Sequence, residues 1–136
     1  MNTKTTVVTQ EQLDAQFACC DKIASYWAQR GITPVAYVET YGCQQNEADS
    51  EKLRGYLSQC GYAIGTTAEG ADVVVMNTCA IREHAEQRVF GNLGALTHTK
   101  RRHPGQKIFL CGCMAGEEKV SKRVRESYPH VDGVFS

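Results

Sequence analysis

Four short apolar runs, separated by helix-length segments, constrain this sequence more than any other feature. They are rich in β-branched and aromatic residues, which favour strands. They are also almost continuously apolar, as strands are when helices cover both faces of a sheet. The order strand–helix–strand predicts a parallel sheet, because each connection then has to be a right-handed crossover. The runs are VAYVET (35–40), DVVVMNT (72–78), KIFLCG (107–112) and VDGVFS (131–136).

Apolar residues at helical spacing, with start and stop signals, place the helices. Glycine at 61 follows the second helix and HPG at 103–105 ends the third, as expected where a chain leaves a helix. The segment 62–71 is predicted to be a loop with a short strand pairing. The fold class is therefore α/β: a small doubly wound, flavodoxin-like parallel sheet with flanking helices, plus an N-terminal helical extension over 1–33. Helices are predicted at 9–29, 46–60, 81–102 and 117–129.

Three cysteines each follow a predicted strand. Cys43, Cys79 and Cys113 lie just beyond the runs that end at 40, 78 and 112. The spacing between them is about 35 residues, or roughly one strand–helix–strand unit. Because the carboxyl ends of parallel strands lie at one edge of a sheet, where ligands bind, the topology predicts that the three thiols converge on one crevice.

The positions of these cysteines favour thiolate chemistry. Each precedes a predicted helix, whose positive amino end lowers a thiol pKa and so favours the form that binds metal. Gly42 and Gly112 precede two of them and allow close approach of the backbone to a bulky ligand. Three thiolates suit an iron–sulfur cluster with one open iron, since clusters usually take four cysteines. Zinc with His84 or water as fourth ligand is equally compatible with the spacing.

The composition restricts which kinds of protein could contain this site. The chain has seven cysteines, and an odd number rules out a complete intramolecular disulfide framework. Fifteen basic residues balance fifteen acidic ones, which gives no global reason for nucleic-acid or membrane binding. No apolar run approaches the roughly 20 residues that span a bilayer, and the start lacks a signal-peptide core. We therefore expect a cytoplasmic protein without membrane contact, and a monomer.

Three segments together carry a family signature. TYGCQQNEADSE (40–51), NTCAIREHAEQRVFG (77–91) and CGCMA (111–115) resemble the N-terminal domain of the radical-SAM methylthiotransferases over roughly residues 35 to 136. The similarity is closest to the tRNA-modifying branch. The sequence Gln44-Gln45-Asn46 stands where the branch that modifies a ribosomal protein typically has Pro-Lys-Asn.

The resemblance implies a function for residues 34–136. They would form the domain that holds an auxiliary [4Fe–4S] cluster through Cys43, Cys79 and Cys113, with an open iron that carries the sulfur or methylthio group. The full-length enzyme would transfer this group to C2 of N6-isopentenyladenosine beside the tRNA anticodon. Its expected partners are that tRNA and a sulfur donor. A second [4Fe–4S] cluster and S-adenosylmethionine would belong to a separate radical-SAM domain.

The sequence also departs from the family pattern. It contains no Cys-x3-Cys-x2-Cys motif, so the radical-SAM domain is absent from this chain, as is the RNA-binding domain. We expect an excised N-terminal domain or a truncated product that is inactive alone. Gly116 stands where the resemblance predicts glutamine. The alternatives are a zinc- or iron–sulfur-binding module without catalysis, and a thiol/disulfide redox domain in which two of these cysteines cycle as a disulfide. The Cys-x-Cys pair at 111 and 113 gives the redox alternative slight support.

Several polar residues flank the cysteines and are predicted to surround the ligands. Asn46 and Asn77 can donate hydrogen bonds to the cluster or to the transferred group, or they can serve as caps and turn residues. Arg82 can meet a phosphate or an anionic cluster, or form a surface ion pair. The basic segment KRRHPGQK (100–107) can contact tRNA phosphates or complement a helix dipole. The residues predicted to lie around the ligands in this way are Gln44, Asn46, Asn77 and Arg82.

Overall fold

Helices and strands alternate along the described part of the chain, as the apolar runs predict, except that a two-residue strand precedes the second of these runs. The computed structural model describes residues 10–42, 44–79, 83–112, 115 and 117–135, apart from the side chains at 12–14, 16, 17, 44, 45 and 83–85. The helices are α1 (Gln10–Gln29), α2 (Gln44–Gln59), α3 (Glu83–Arg102) and α4 (Glu118–Ser127). The strands are β1 (Val35–Thr40), β2 (Ala63–Ile64), β3 (Val73–Thr78), β4 (Lys107–Gly112) and β5 (Gly133–Val134).

The five strands form one sheet in the order β2-β1-β3-β4-β5, and all four pairings are parallel. This order confirms the doubly wound, flavodoxin-like class. The predicted strands at 35–40 and 107–112 have the observed bounds. The predicted strand at 131–136 is shorter, because the backbone N–H of Val131 closes a turn on Tyr128 and pairing with β4 begins only at Gly133.

Two apolar layers cover the sheet. On one face, Met76 and Leu110 belong to a core with Leu93 of α3 and Val120 of α4. On the other face, Val38, Val75 and Cys111 form a second core against Leu53 and Leu57 of α2. Every residue of β3 is buried, as expected for the central strand of a sheet covered on both sides.

Helix α1 docks on the segment that follows α2. The Trp27 indole Nε1 donates a hydrogen bond to the Tyr62 hydroxyl over 3.2 Å. Ala24 lies one turn before Trp27 in α1. A β-carbon on Gly61 would be 3.6 Å from the Ala24 β-carbon, which is an ordinary contact distance. In the part of the chain that the structure describes, no helix is long and apolar enough to cross a membrane.

Candidate functional site

The register of the sheet brings the ends of three strands side by side. Thr40 of β1 pairs with Asn77 of β3, and Asn77 pairs with Cys111 of β4. Cys79 follows directly after β3, between the two neighbouring strands, and is half-buried. Each predicted cysteine position therefore comes two or three residues after one row of paired residues.

Cys43 and Cys113 lie outside the described residues, but the glycine before each of them is described. Gly42 has a positive φ of 120°, and a β-carbon there would lie 2.6 Å from the Cys79 β-carbon. Gly112 has a φ of 95°, and a β-carbon there would overlap the backbone oxygen of Thr78. Since real β-carbons do not approach so closely, the segment after β1 and the last residue of β4 meet the end of β3 only because residues 42 and 112 are glycine.

Asn77 is the centre of a buried polar network. Its Nδ2 donates to the backbone oxygen of Asn46 and to Ser50 Oγ, each over 3.0 Å. The Thr40 hydroxyl donates to the same Ser50 Oγ over 2.6 Å. These bonds connect the first turns of α2 with the ends of β1 and β3.

Asn46 is buried in the first turn of α2, two residues after the point where that helix begins. Its Nδ2 donates to the backbone oxygen of Thr78 over 3.1 Å. The Thr78 hydroxyl in turn donates to the backbone oxygen of Cys111 over 2.6 Å. We predicted that this helix begins at Asn46, but it begins at Gln44. Asn46 is therefore inside the helix, and its side-chain amide holds α2 against β3.

Cys111 occupies the core rather than the crevice. It is buried among the apolar residues of the α2 face, and its Sγ donates weakly to Asn77 Oδ1 over 3.9 Å. Burial and the nearby Asp49 carboxylate raise the pKa of the Cys111 thiol to about 11. A thiol that stays protonated near neutral pH is a poor nucleophile, which weighs against a Cys111–Cys113 redox pair.

Sequence reasoning missed Ser50, Thr78 and Tyr41 as parts of this edge. Ser50 lies one helical turn after Asn46, and both are buried. A polar residue on the apolar face of α2 is the feature of the sequence that could have indicated this role for Ser50. The Tyr41 hydroxyl accepts a bond from Asn92 Nδ2 over 2.7 Å, and its backbone N–H continues the ladder to Asn77. Burial raises the Tyr41 pKa well above its usual value.

Several residues that the sequence predicts to lie at the site fall outside the described part of the structure. The Arg82 position and the side chains of Gln44 and His84 lie outside the described structure. Among the side chains that the structure does describe, no three His, Cys, Asp or Glu residues are grouped to hold a metal ion. The donor set of the sequence fits an iron–sulfur group, because thiolates are the soft ligands that such clusters and zinc prefer. The glycine approaches at 42 and 112 also fit a crowded site.

The basic segment 100–107 is engaged in contacts within the chain. Lys100 Nζ contacts both the Asp132 carboxylate and the backbone oxygen of His130 over 2.8 Å. Arg102 pairs with Glu69, and His103 contacts the Asp72 carboxylate. The segment runs from the end of α3 to the first residue of β4 and so lies at the amino edge of the sheet, opposite the edge at which Cys79 follows β3. Its contacts favour a structural role over phosphate binding.

Comparison with known proteins identifies relatives. A family model described as "Uncharacterized protein family UPF0004" matches residues 35–136. The chain is 44% identical over 110 residues to a tRNA-2-methylthio-N(6)-dimethylallyladenosine synthase from Clostridioides difficile (strain 630), covering 81% of this chain and 23% of the relative. The synthase of the same name from Bacillus thuringiensis (strain Al Hakam) is 50% identical over 99 residues, covering 73% and 19%.

A third relative extends the match towards the N-terminus. The corresponding synthase from Alkaliphilus oremlandii (strain OhILAs) is 41% identical over 129 residues, covering 95% of this chain and 27% of the relative. That coverage reaches into the region before residue 35. These matches confirm the resemblance inferred from the three cysteine motifs. The chain spans about a fifth to a quarter of the length of these curated relatives.

Proposed function

The chain belongs to the UPF0004 family, and from this membership we propose that residues 34–136 form the auxiliary [4Fe–4S] domain of a tRNA-2-methylthio-N6-dimethylallyladenosine synthase. The ligands are Cys43, Cys79 and Cys113. The observation that carries the proposal is the contact of Gly42 with Cys79 and of Gly112 with Thr78. These contacts support one shared site, because each glycine precedes one of the other two cysteines in the sequence.

The chain's own residues hold and bias the ligands. Helix α2 begins at Gln44, directly after Cys43, so its positive amino end favours the thiolate form of that cysteine. Cys79 is half-buried between two strand ends, where water has limited access. When bound, the cluster supplies an open iron to which a sulfur or methylthio group can be attached.

The complete reaction requires parts beyond these 136 residues. We propose that this chain acts within a longer cytoplasmic enzyme, whose radical-SAM domain holds a second [4Fe–4S] cluster and S-adenosylmethionine. The substrate is tRNA carrying N6-isopentenyladenosine, which receives the methylthio group at C2, and a sulfur donor resupplies the site. The 136 residues alone are inactive in this transfer. The names of the relatives support this assignment.

Anaerobic reconstitution with iron and sulfide tests the proposal. The protein should gain a broad absorbance at about 400 nm, as thiolate-ligated iron does. Cys79→Ala should abolish this band, and Cys60→Ala, which removes a buried cysteine near α1, should leave it unchanged. Equal cluster uptake by the Cys79→Ala variant would defeat the assignment. Binding of one zinc ion per chain would favour the zinc module, and a reversible disulfide without metal would favour the redox domain.

A further inference from the structure

We propose that Asn77 is the positioning residue of the three-cysteine site, because it lies in the strand that leads to Cys79 and its buried side chain contacts the segments beside the other two ligands. The inference rests on the proposed function. Asn77 is the second residue before Cys79 and is only 4% exposed. It acts through the backbone that it holds, and so it is distinct from the ligands themselves.

The contacts of Asn77 reach both neighbouring segments. Its Nδ2 donates to the backbone oxygen of Asn46, three residues after Cys43, over 3.0 Å. Its Oδ1 accepts from the Cys111 thiol, two residues before Cys113, over 3.9 Å. The same Oδ1 would lie 2.9 Å from a β-carbon on Gly112, so the amide lies directly against the β4 end.

The link between α2 and β3 is reciprocal. Asn77 donates to the Asn46 backbone, and the Asn46 side chain donates back to the backbone of Thr78, the residue after Asn77. Ser50 Oγ accepts from both Asn77 and Thr40, which brings the end of β1 into the same network. Among the described residues, no buried side-chain nitrogen or oxygen lacks a partner. Such a fully satisfied network specifies one arrangement of the backbone.

An amide at this length meets both demands. Its Nδ2 supplies two hydrogens, one for the Asn46 backbone oxygen and one for Ser50 Oγ, while its Oδ1 remains an acceptor. Asn77→Asp keeps the shape but places an acceptor, and a buried negative charge, against the Asn46 oxygen. The helix start beyond Cys43 then loses the bond that Asn77 donates to it and keeps only the bond from Asn46 to the Thr78 backbone. Outer partners of metal ligands typically change metal affinity by about 10- to 100-fold when they are mutated.

Gln106 provides a matched control for this substitution. It is fully buried, and its Nε2 donates to the backbone oxygens of Ala68 and Ala71, each over 2.9 Å. It thus repeats the donor pattern of Asn77 at the amino edge of the sheet, directly before β4. Gln106→Glu damages a buried amide to a similar degree without touching the segments that carry the cysteines.

The test is an anaerobic titration of the reduced, metal-free protein with Co²⁺, followed through the thiolate-to-cobalt charge-transfer band. The Asn77→Asp variant should bind Co²⁺ at least about tenfold more weakly than the wild type. The Gln106→Glu variant should stay within about twofold of the wild type, even where both variants melt at lower temperature. Equal affinities for the two variants would overturn the positioning role.

Further variants separate this inference from the proposed function. If the wild type binds no Co²⁺, or if Cys79→Ala binds it equally well, the three-cysteine site itself is wrong and the inference fails with it. If the Asn77→Asp protein does not fold, Ser50→Ala replaces it, because it removes one acceptor of the Asn77 amide. That variant should lose about threefold in Co²⁺ affinity, and unchanged affinity would overturn the positioning role.

Discussion

Gly42 lies against Cys79 so closely that a β-carbon on Gly42 would be 2.6 Å from the β-carbon of Cys79. This contact joins the segment after β1 to the segment after β3 at the positions that the candidate site needs. A parallel sheet brings strand ends to one edge in general terms. The missing side chain at position 42 allows the final approach.

We expect Gly42→Ala to lower the free energy of unfolding by about 3 kcal/mol, from the positive φ and the clash with Cys79 together. Gly70→Ala is the control, because Gly70 has a φ of 76° but open space around its α-carbon, and it should lose only about 1 kcal/mol. Urea unfolding measures both. Equal losses would mean that position 42 has no close contact with Cys79.

The Cys60 thiol should resist alkylation. Burial, together with the neighbouring Cys20 thiol, raises the pKa of Cys60 to about 12, so roughly one molecule in 10⁴ carries the reactive thiolate at pH 8. Exposed Cys19 should react with iodoacetamide at least about 100-fold faster. Peptide mass spectrometry gives both rates. A Cys60 rate that matches Cys19 would show that α1 does not cover this thiol.

Asp132 should stabilise the β5 end in a pH-dependent way. Its carboxylate accepts bonds from Lys100 Nζ and from the Ile108 backbone N–H, each over 2.8 Å. Burial raises the pKa of Asp132, but these two hydrogen bonds and the lysine charge together lower it by more, so the net shift of the pKa is downward. Its contribution is therefore present above the unfolded pKa of about 3.9 and is lost as the pH falls through the folded value.

We accordingly expect Asp132→Asn to lose about 1–2 kcal/mol at pH 7. The difference from the wild type should shrink as the pH is lowered below about 4. Asp21→Asn, on the exposed surface of α1, should change stability by less than about 0.5 kcal/mol. Urea titrations at several pH values decide this, and a pH-independent difference would exclude the ionised carboxylate as the cause.

The sequence predicted the strands and their common edge because both depend on local patterns. The run at 35–40 has the observed bounds, since Pro34 precedes it and β-branched residues fill it. The register does not follow from such patterns. That Thr40, Asn77 and Cys111 lie in one row depends on how the helices pack, so the side-chain network around Asn77 was not predictable.

The network also shows why the role of Asn46 stayed open. Asparagine near a helix start usually caps it, and the sequence offered that interpretation beside a role at the cluster. In the structure the side chain reaches across to Thr78, 32 residues away in sequence. Sequence spacing carries no information about such long-range partners, whereas the prediction that the three thiols share one edge of the sheet needs only the order of the strands.

Mössbauer spectroscopy of ⁵⁷Fe-reconstituted protein, with iron and sulfide counts, tests the central claim most directly. Three cysteine ligands should give about four iron and four sulfide per chain, with about one quarter of the iron in a distinct environment that shifts when sulfide or a small thiol is added. Cys79→Ala should lose this cluster. Four equivalent irons that ignore added ligand, or the same cluster in the Cys79→Ala variant, would contradict a three-cysteine site with an open iron.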